Sequence, residues 1–414
     1  MKKILTYLFA LLLLMACAPE PVEYKPQFKL PANAFQPIDE SDVDFDKEIP
    51  AMPSLPGSDV VAANDTTGEV LKASSLTAAA MVQSLLGTLN TRRTHQVSGT
   101  YRSIDWNGDS ITLSGKIILP VGMPVRNIIL VSHYTIGANF EAPSQCFPLE
   151  GILAGQGYAV VVADYIGFGV TRHLPHPYMA GELTAKNVVD LYFAALPYLQ
   201  SIDKMPQDPA IYLMGYSQGG AITITVQYIF ERDYRQVKIR RNFAGAGPYD
   251  LAATYDKWMA DDITGIPCAV PMIIQGMNVA ENLNLDYSIF FKPNLLETYD
   301  EYINSKNYTV KQIGMLMGVN KLSEIVTDEC RDKRTESSFK LYRALMRNSI
   351  AYLWWPEAPL YMFHSQDDDT VPFENSQKAR DQWKDCNIEY NFGHYGNHMM
   401  GCLTFLGIVN RLVK

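Results

Sequence analysis

Cysteine is scarce in this 414-residue chain. The six present (Cys17, Cys146, Cys268, Cys330, Cys386 and Cys402) are too few to build a disulfide scaffold. Basic charge is short as well: 35 Lys and Arg stand against 44 Asp and Glu, for a net charge of −9. A chain of this balance gains nothing from counterion release on a phosphate backbone, which sets nucleic acid aside as a partner. Histidine is rare too, with seven in all, and that rarity later narrows the search for a catalytic base. No internal repeat is visible. The composition that remains is 47% apolar and 19% charged, ample for a large buried core and incompatible with collagen, coiled coil or disorder throughout. The length alone favours two to three domains, although one α/β sheet with insertions also reaches it.

Lys2 and Lys3 precede an apolar run from Ile4 to Ala16 that is too short to span a bilayer and has the character of a secretory signal. The run ends in Leu14-Met15-Ala16-Cys17, which resembles a bacterial lipobox. That resemblance implies cleavage after residue 16, acylation of Cys17 and an envelope location, and Ala18 after the cysteine is similar to the outer-membrane sorting pattern. Residues 17–75 are rich in proline and carry an acidic cluster from Asp39 to Glu48, so they are expected to form a tether ahead of a catalytic domain at 76–414. An oxidising envelope would allow up to two disulfides, with Cys268–Cys330 as the pairing expected inside one inserted region.

Thr100–Asp105 and Ser110–Leu119 flank Trp106-Asn107-Gly108-Asp109, a hairpin signal. Asp105, Asn107 and Asp109 have a calcium-like spacing but lack the downstream ligands of a calcium loop, so the segment reads as a turn. After it, strands are expected at 127–132, 158–163, 210–214, 238–244, 359–363 and 388–391. Helices are expected near 148–156, 182–199, 219–232, 375–384 and 398–413. This alternation predicts an α/β fold with a mostly parallel central sheet flanked by helices, and chemistry at the carboxyl ends of its strands.

Strand 211–214 runs into Gly215-Tyr216-Ser217-Gln218-Gly219-Gly220 and then a helix, which is G-x-S-x-G in its strand–turn–helix context. The pattern makes Ser217 a candidate nucleophile and the Gln218 N–H a candidate oxyanion donor. Serine needs a base and the base an orienting acid, and on this kind of sheet both follow the serine in the order acid, then histidine. His95, His133, His173 and His176 come too early and His364 lies on the strand that delivers the acid, leaving His394 and His398. The acid belongs to the run Asp367-Asp368-Asp369.

Ser365 to Pro372, with His364 before them, resemble the H-G-x-x-D-x-x-V-P stretch of α/β-hydrolases, which implies Asp368 as the acid. Gly396-Asn397-His398-Met399 resembles the loop-to-helix junction where relatives carry their histidine, which implies His398. Ser132-His133-Tyr134-Thr135 stands where relatives have His-Gly, so the second oxyanion donor is expected from Tyr134 or Thr135. Together with Asp164-Tyr165-Ile166-Gly167-Phe168-Gly169, Ala142-Pro143-Ser144 and Ala246-Gly247-Pro248-Tyr249-Asp250-Leu251, these segments are similar to the secretory lipase family of α/β-hydrolases over about residues 95–414. The resemblance implies cleavage of carboxylic esters, with acylglycerols among them, and neither metal nor organic cofactor.

Residues of about 252–356 interrupt the alternation and are expected to form a mostly helical cap, whose apolar residues either line an acyl pocket or make the cap's own core. The expectation is therefore a lipase- or esterase-like serine hydrolase with a Ser217–His398–Asp368 triad, bound to the membrane through its lipid. Two alternatives stand beside it. One is a serine peptidase of the same fold, and the other a catalytically silent lipoprotein that binds glycan or lipid.

Overall fold

The computed structural model describes residues 34–48, 50–53 and 80–413. The expectations for the signal segment and for Cys17 lie outside those residues. In chain order the strands are β1 (Gln36–Asp44), β2 (Arg93–Ile104), β3 (Ser110–Pro120), β4 (Asn127–Ser132), β5 (Tyr158–Ala163), β6 (Ile211–Tyr216), β7 (Ile239–Gly245), β8 (Leu360–Ser365) and β9 (Ile388–Gly393). The main helices are α1 (Gly181–Ser201), α2 (Gln218–Asp233), α3 (Leu251–Asp261), α4 (Ala269–Ala280), α5 (Val310–Met317), α6 (Glu336–Arg347), α7 (Glu374–Gln382) and α8 (His398–Leu412). The strands make one sheet in the order β1-β2-β3-β5-β4-β6-β7-β8-β9, antiparallel from β1 to the β3–β5 pair and parallel from there on. This is the α/β-hydrolase fold.

Strands β4, β5 and β6 are buried at every position, as their continuous apolar sequences require once both faces are covered. Ile128, Leu130 and Val161 pack under α1 and α2 on one face. Ile129, Val131 and Val160 pack on the other face, against α8 and the 3-10 turn Leu149–Gln156. The β2–β3 hairpin closes through Asp105, whose carboxylate accepts the N–H groups of Asn107 and Asp109 at 2.8 and 3.0 Å, a turn as expected.

Three features differ from the expectations. Residues 36–44, inside the stretch expected as a tether, are the edge strand β1, pinned by buried Phe35 and Phe45 on either side. Its acidic residues face solvent and meet Arg93 and His95 of β2, which blunts an open edge with charge. No disulfide joins the five described cysteines, so the Cys268–Cys330 pairing is not formed. Cys268 opens α4, whereas the Cys330 Sγ–H points at the Phe290 carbonyl and burial pushes its thiol up to about 12, the state of an inert core residue. Third, β2 begins at Arg93, seven residues before the expected start.

Between β7 and β8 the insertion is mostly helical, comprising α3 to α6 with short turns between them. Most of its apolar residues, Val270, Ile274 and Met277 among them, form a core that continues onto β8 and α7 through Leu360, Met362 and Trp383.

Candidate active site

The chain leaves β6 through a tight turn that places Ser217 at φ 58°, ψ −124° before α2 begins at Gln218. An L-residue holds this backbone only under constraint. Glycines supply the room: a Cβ at Gly215 would stand 2.1 Å from the Gly219 carbonyl oxygen, and one at Gly219 only 1.9 Å from that of Ser132. The turn is tied to the sheet by the Ser217 N–H donating to the Gly245 carbonyl at 2.9 Å. Gln218, as the first residue of α2, has an N–H among those that intrahelical bonding leaves open.

The turn after β8 carries Asp368, and the loop after β9 opens α8 at His398. Both side chains are fully buried, with His398 Nδ1 donating to Asp368 Oδ2 at 2.6 Å. Asp368 Oδ1 accepts the N–H groups of Thr370 and Val371 at 2.9 and 2.8 Å. Burial alone would raise this carboxyl, but the imidazoles of His398 and His364 beside it outweigh burial and hold Asp368 well below the usual carboxylate range. His398 is held from three sides. Tyr216 Oη donates to its carbonyl at 2.9 Å, Asp369 accepts its N–H at 3.2 Å, and Asn397 caps α8 through the Met400 N–H. Its Nε2 is buried and has no hydrogen-bond partner. His394 and Asp367, the competing candidates, pair with each other at 2.8 Å on the surface, where the histidine side chain is 73% exposed.

Beyond β4, Glu141 accepts the N–H groups of Gly137 and Ala138 at 3.1 and 3.0 Å and so braces the loop of Tyr134 and Thr135. Tyr134 points its side chain into the core beside α8, while Thr135 Oγ1 bonds Tyr178 Oη at 2.7 Å. Ser217, Gln218 and Tyr178 line a narrow cleft together with Met179, Leu251 and Ile273. Tyr178 also lines a second narrow cleft, walled by Phe168, Met272, Ile303 and Ile313. On the far side of Trp258 and Thr370 lies an open groove of about 380 Å³ with Lys257, Asp261, Gln366 and Gln377 along it.

The secretory lipase family model matches residues 147–409, nearly two thirds of the chain, a span that includes the Ser217 turn, the Asp368 turn and His398. The chain belongs to the secretory lipase family. It is accordingly a carboxylic ester hydrolase of the lipase and esterase kind. Solved structures agree on the fold. The rice cell wall degrading esterase LipA from Xanthomonas oryzae superposes with a TM-score of 0.71 at 19% identity, over 92% of this chain and 96% of that one. A putative hydrolase from Legionella pneumophila gives 0.70 at 20% identity over 81% and 93%. Candida antarctica lipase A gives 0.58 at 16% identity over 88% and 77%. No curated protein matches the chain by sequence.

Sequence reasoning about this secretory lipase missed two side chains around the site. His176 Nδ1 donates to the Ile166 carbonyl at 2.7 Å, which leaves Nε2 to accept from the Gln218 amide at 3.3 Å, and burial pulls this histidine down to about 3, so it is neutral. His364 reaches Asp368. His176 comes from the loop between β5 and α1, and nothing in its spacing relates it to the elbow. His364 left a trace as the fourth residue before Asp368.

Proposed function

We propose that this lipase-family enzyme works through an acyl-enzyme on Ser217, with His398 as general base and Asp368 as its orienting acid. The observation that carries the reading is the buried Asp368–His398 pair, whose Nδ1–H is committed to the carboxylate and whose Nε2 is left to accept a proton. Both residues leave the carboxyl ends of neighbouring strands on the side of the sheet where Ser217 is displayed. Ser217 Oγ attacks the ester carbonyl and His398 Nε2 takes its proton. Negative charge develops on the carbonyl oxygen against the N–H of Gln218 and an N–H of Tyr134 or Thr135. His398 returns the proton to the departing alcohol, and water then releases the acid by the same route. The narrow apolar cleft beside Ser217 suits a small acyl group and the polar open groove suits a hydroxylated alcohol. With Tyr178 standing between this cleft and the next, short acyl groups are the preferred substrates.

Hydrolysis of p-nitrophenyl acetate, butyrate and palmitate tests this. The wild type is expected to prefer acetate or butyrate to palmitate, and Ser217→Ala to lose activity on all three by about a thousandfold or more. A Ser217→Ala variant as active as wild type would remove the mechanism. The lipobox-like Leu14–Cys17 and the membership of a secretory family support a lipid-anchored envelope enzyme. Metabolic labelling with a fatty-acid analogue, lost in Cys17→Ala, checks that placement.

A further inference from the structure

We infer that Tyr178 sets the acyl-length limit of this enzyme: its side chain plugs the end of the cleft beside Ser217, and the apolar cleft behind it is a continuation of the acyl path that this one residue keeps shut. The inference rests on the acyl-enzyme reading above and on the short-acyl preference drawn with it. Among the described residues, Tyr178 is the one shared by the walls of both clefts. Ser217, Leu251 and Ile273 stand on the near side, and Phe168, Met272 and Ile313 on the far side. Met272 and Ile273 are neighbours in α4, so the two clefts lie along the same cap helix.

The plug is fixed at its tip, its ring and its backbone. Tyr178 Oη bonds Thr135 Oγ1 at 2.7 Å, and both residues are buried. Swinging the ring aside would leave two buried hydroxyls unpaired, which holds it in place. The His176 ring packs on it with centroids 5.7 Å apart, and the Tyr178 N–H donates to the His176 carbonyl at 2.8 Å. From the cap, α4 lies directly on the Tyr178 backbone: a Cβ at Gly276 would stand 2.1 Å from the Tyr178 carbonyl oxygen. The cleft behind the plug suits methylene groups. His176 on its wall is neutral, and Lys306, the basic group there, donates to the Leu174 and Asn304 carbonyls at 3.0 and 3.2 Å. The remaining wall is mostly apolar, so removing the Tyr178 side chain would offer a longer acyl chain a dry path.

The test reads the ratio of kcat/KM on p-nitrophenyl decanoate to that on p-nitrophenyl butyrate. Tyr178→Ala is expected to raise this ratio by about tenfold or more, and Tyr178→Phe, which keeps the ring, by about threefold at most. Adding Met272→Phe to Y178A refills the far cleft and is expected to bring the ratio back close to that of wild type. If Y178A does not fold, Tyr178→Val carries the comparison, with a smaller rise in the same direction. An unchanged ratio in Y178A overturns the proposal. So does an equal rise in Y178A and Y178F, or in Y178A and Y178A/M272F, since either would mark a general loosening of the cap. A wild type that cleaves decanoate as well as butyrate would instead overturn the short-acyl reading, and a Ser217→Ala variant as active as wild type the mechanism, which keeps the failures apart.

Discussion

Two histidines four residues apart each hold an aspartate from one run of three, yet only one pair is dry. His398 and Asp368 have no exposed side-chain surface, so their hydrogen bond acts in a low-dielectric setting where it can orient the ring and stabilise its cation. The His394–Asp367 pair sits in water, where an ion pair is worth at most about 1 kcal/mol. Substitution should separate them sharply. His398→Ala and Asp368→Asn are each expected to lower kcat/KM on p-nitrophenyl butyrate by roughly 10³ to 10⁴, whereas His394→Ala and Asp367→Asn stay within about twofold of wild type. A large loss in H394A with H398A near wild type would transfer the base to His394.

At the scale of elements, β1 shows how a strand can be invisible to pattern reading. Seven of its nine residues are exposed and only Val43 is buried, because an edge strand at this position covers neither face of the core. No alternation marks it, and its acidic run reads as spacer. What places it is backbone pairing with β2 and two aromatic anchors just outside its ends, Phe35 against Tyr198 and Phe45 against Phe147, each with ring centroids 5.5 Å apart. Phe35→Ala or Phe45→Ala should each lower the unfolding free energy by about 3 kcal/mol in urea titrations. The kcat of the folded protein should change little, since both anchors pack on elements other than the site turns. Removing an anchor without cost would mean that β1 is bound only by its ladder.

For the whole molecule, one buried carboxyl couples stability to pH. Glu150 lies in the 3-10 turn Leu149–Gln156, and burial raises it from its ordinary 4.5 to about 7. Below pH 4.5 the folded and unfolded chains both hold this proton and the group contributes no pH dependence. Between 4.5 and 7 the unfolded chain releases the proton while the folded chain keeps it, so the folded state binds more protons and stability falls as pH rises. Above 7 the buried carboxylate is ionised and the full penalty is present. Glu150→Gln removes the titration. Relative to wild type it should gain a few kcal/mol of unfolding free energy from urea titrations at pH 8, at a slope of at most about 1.4 kcal/mol per pH unit, compared with its standing at pH 4.5. An equal difference at both pH values would show that Glu150 does not titrate in this range.

Features encoded within a few residues of one another were legible in the chain. Strands β4 and β5 are continuous apolar runs and fall where their sequence puts them. The glycines around Ser217 announce the elbow because a reversal that tight admits no Cβ, and chain order reduced seven histidines to two. The sequence thereby determined the fold class and the short stretches that carry the proposed reacting groups. Folding decided the rest: which aspartate is dry, that His364 and His398 converge on one oxygen of Asp368, that Tyr178 separates two narrow clefts, and that an acidic segment completes the sheet. Each of these depends on atoms brought together from distant parts of the chain, where burial and hydrogen bonding set the chemistry of side chains whose residue type alone leaves it open.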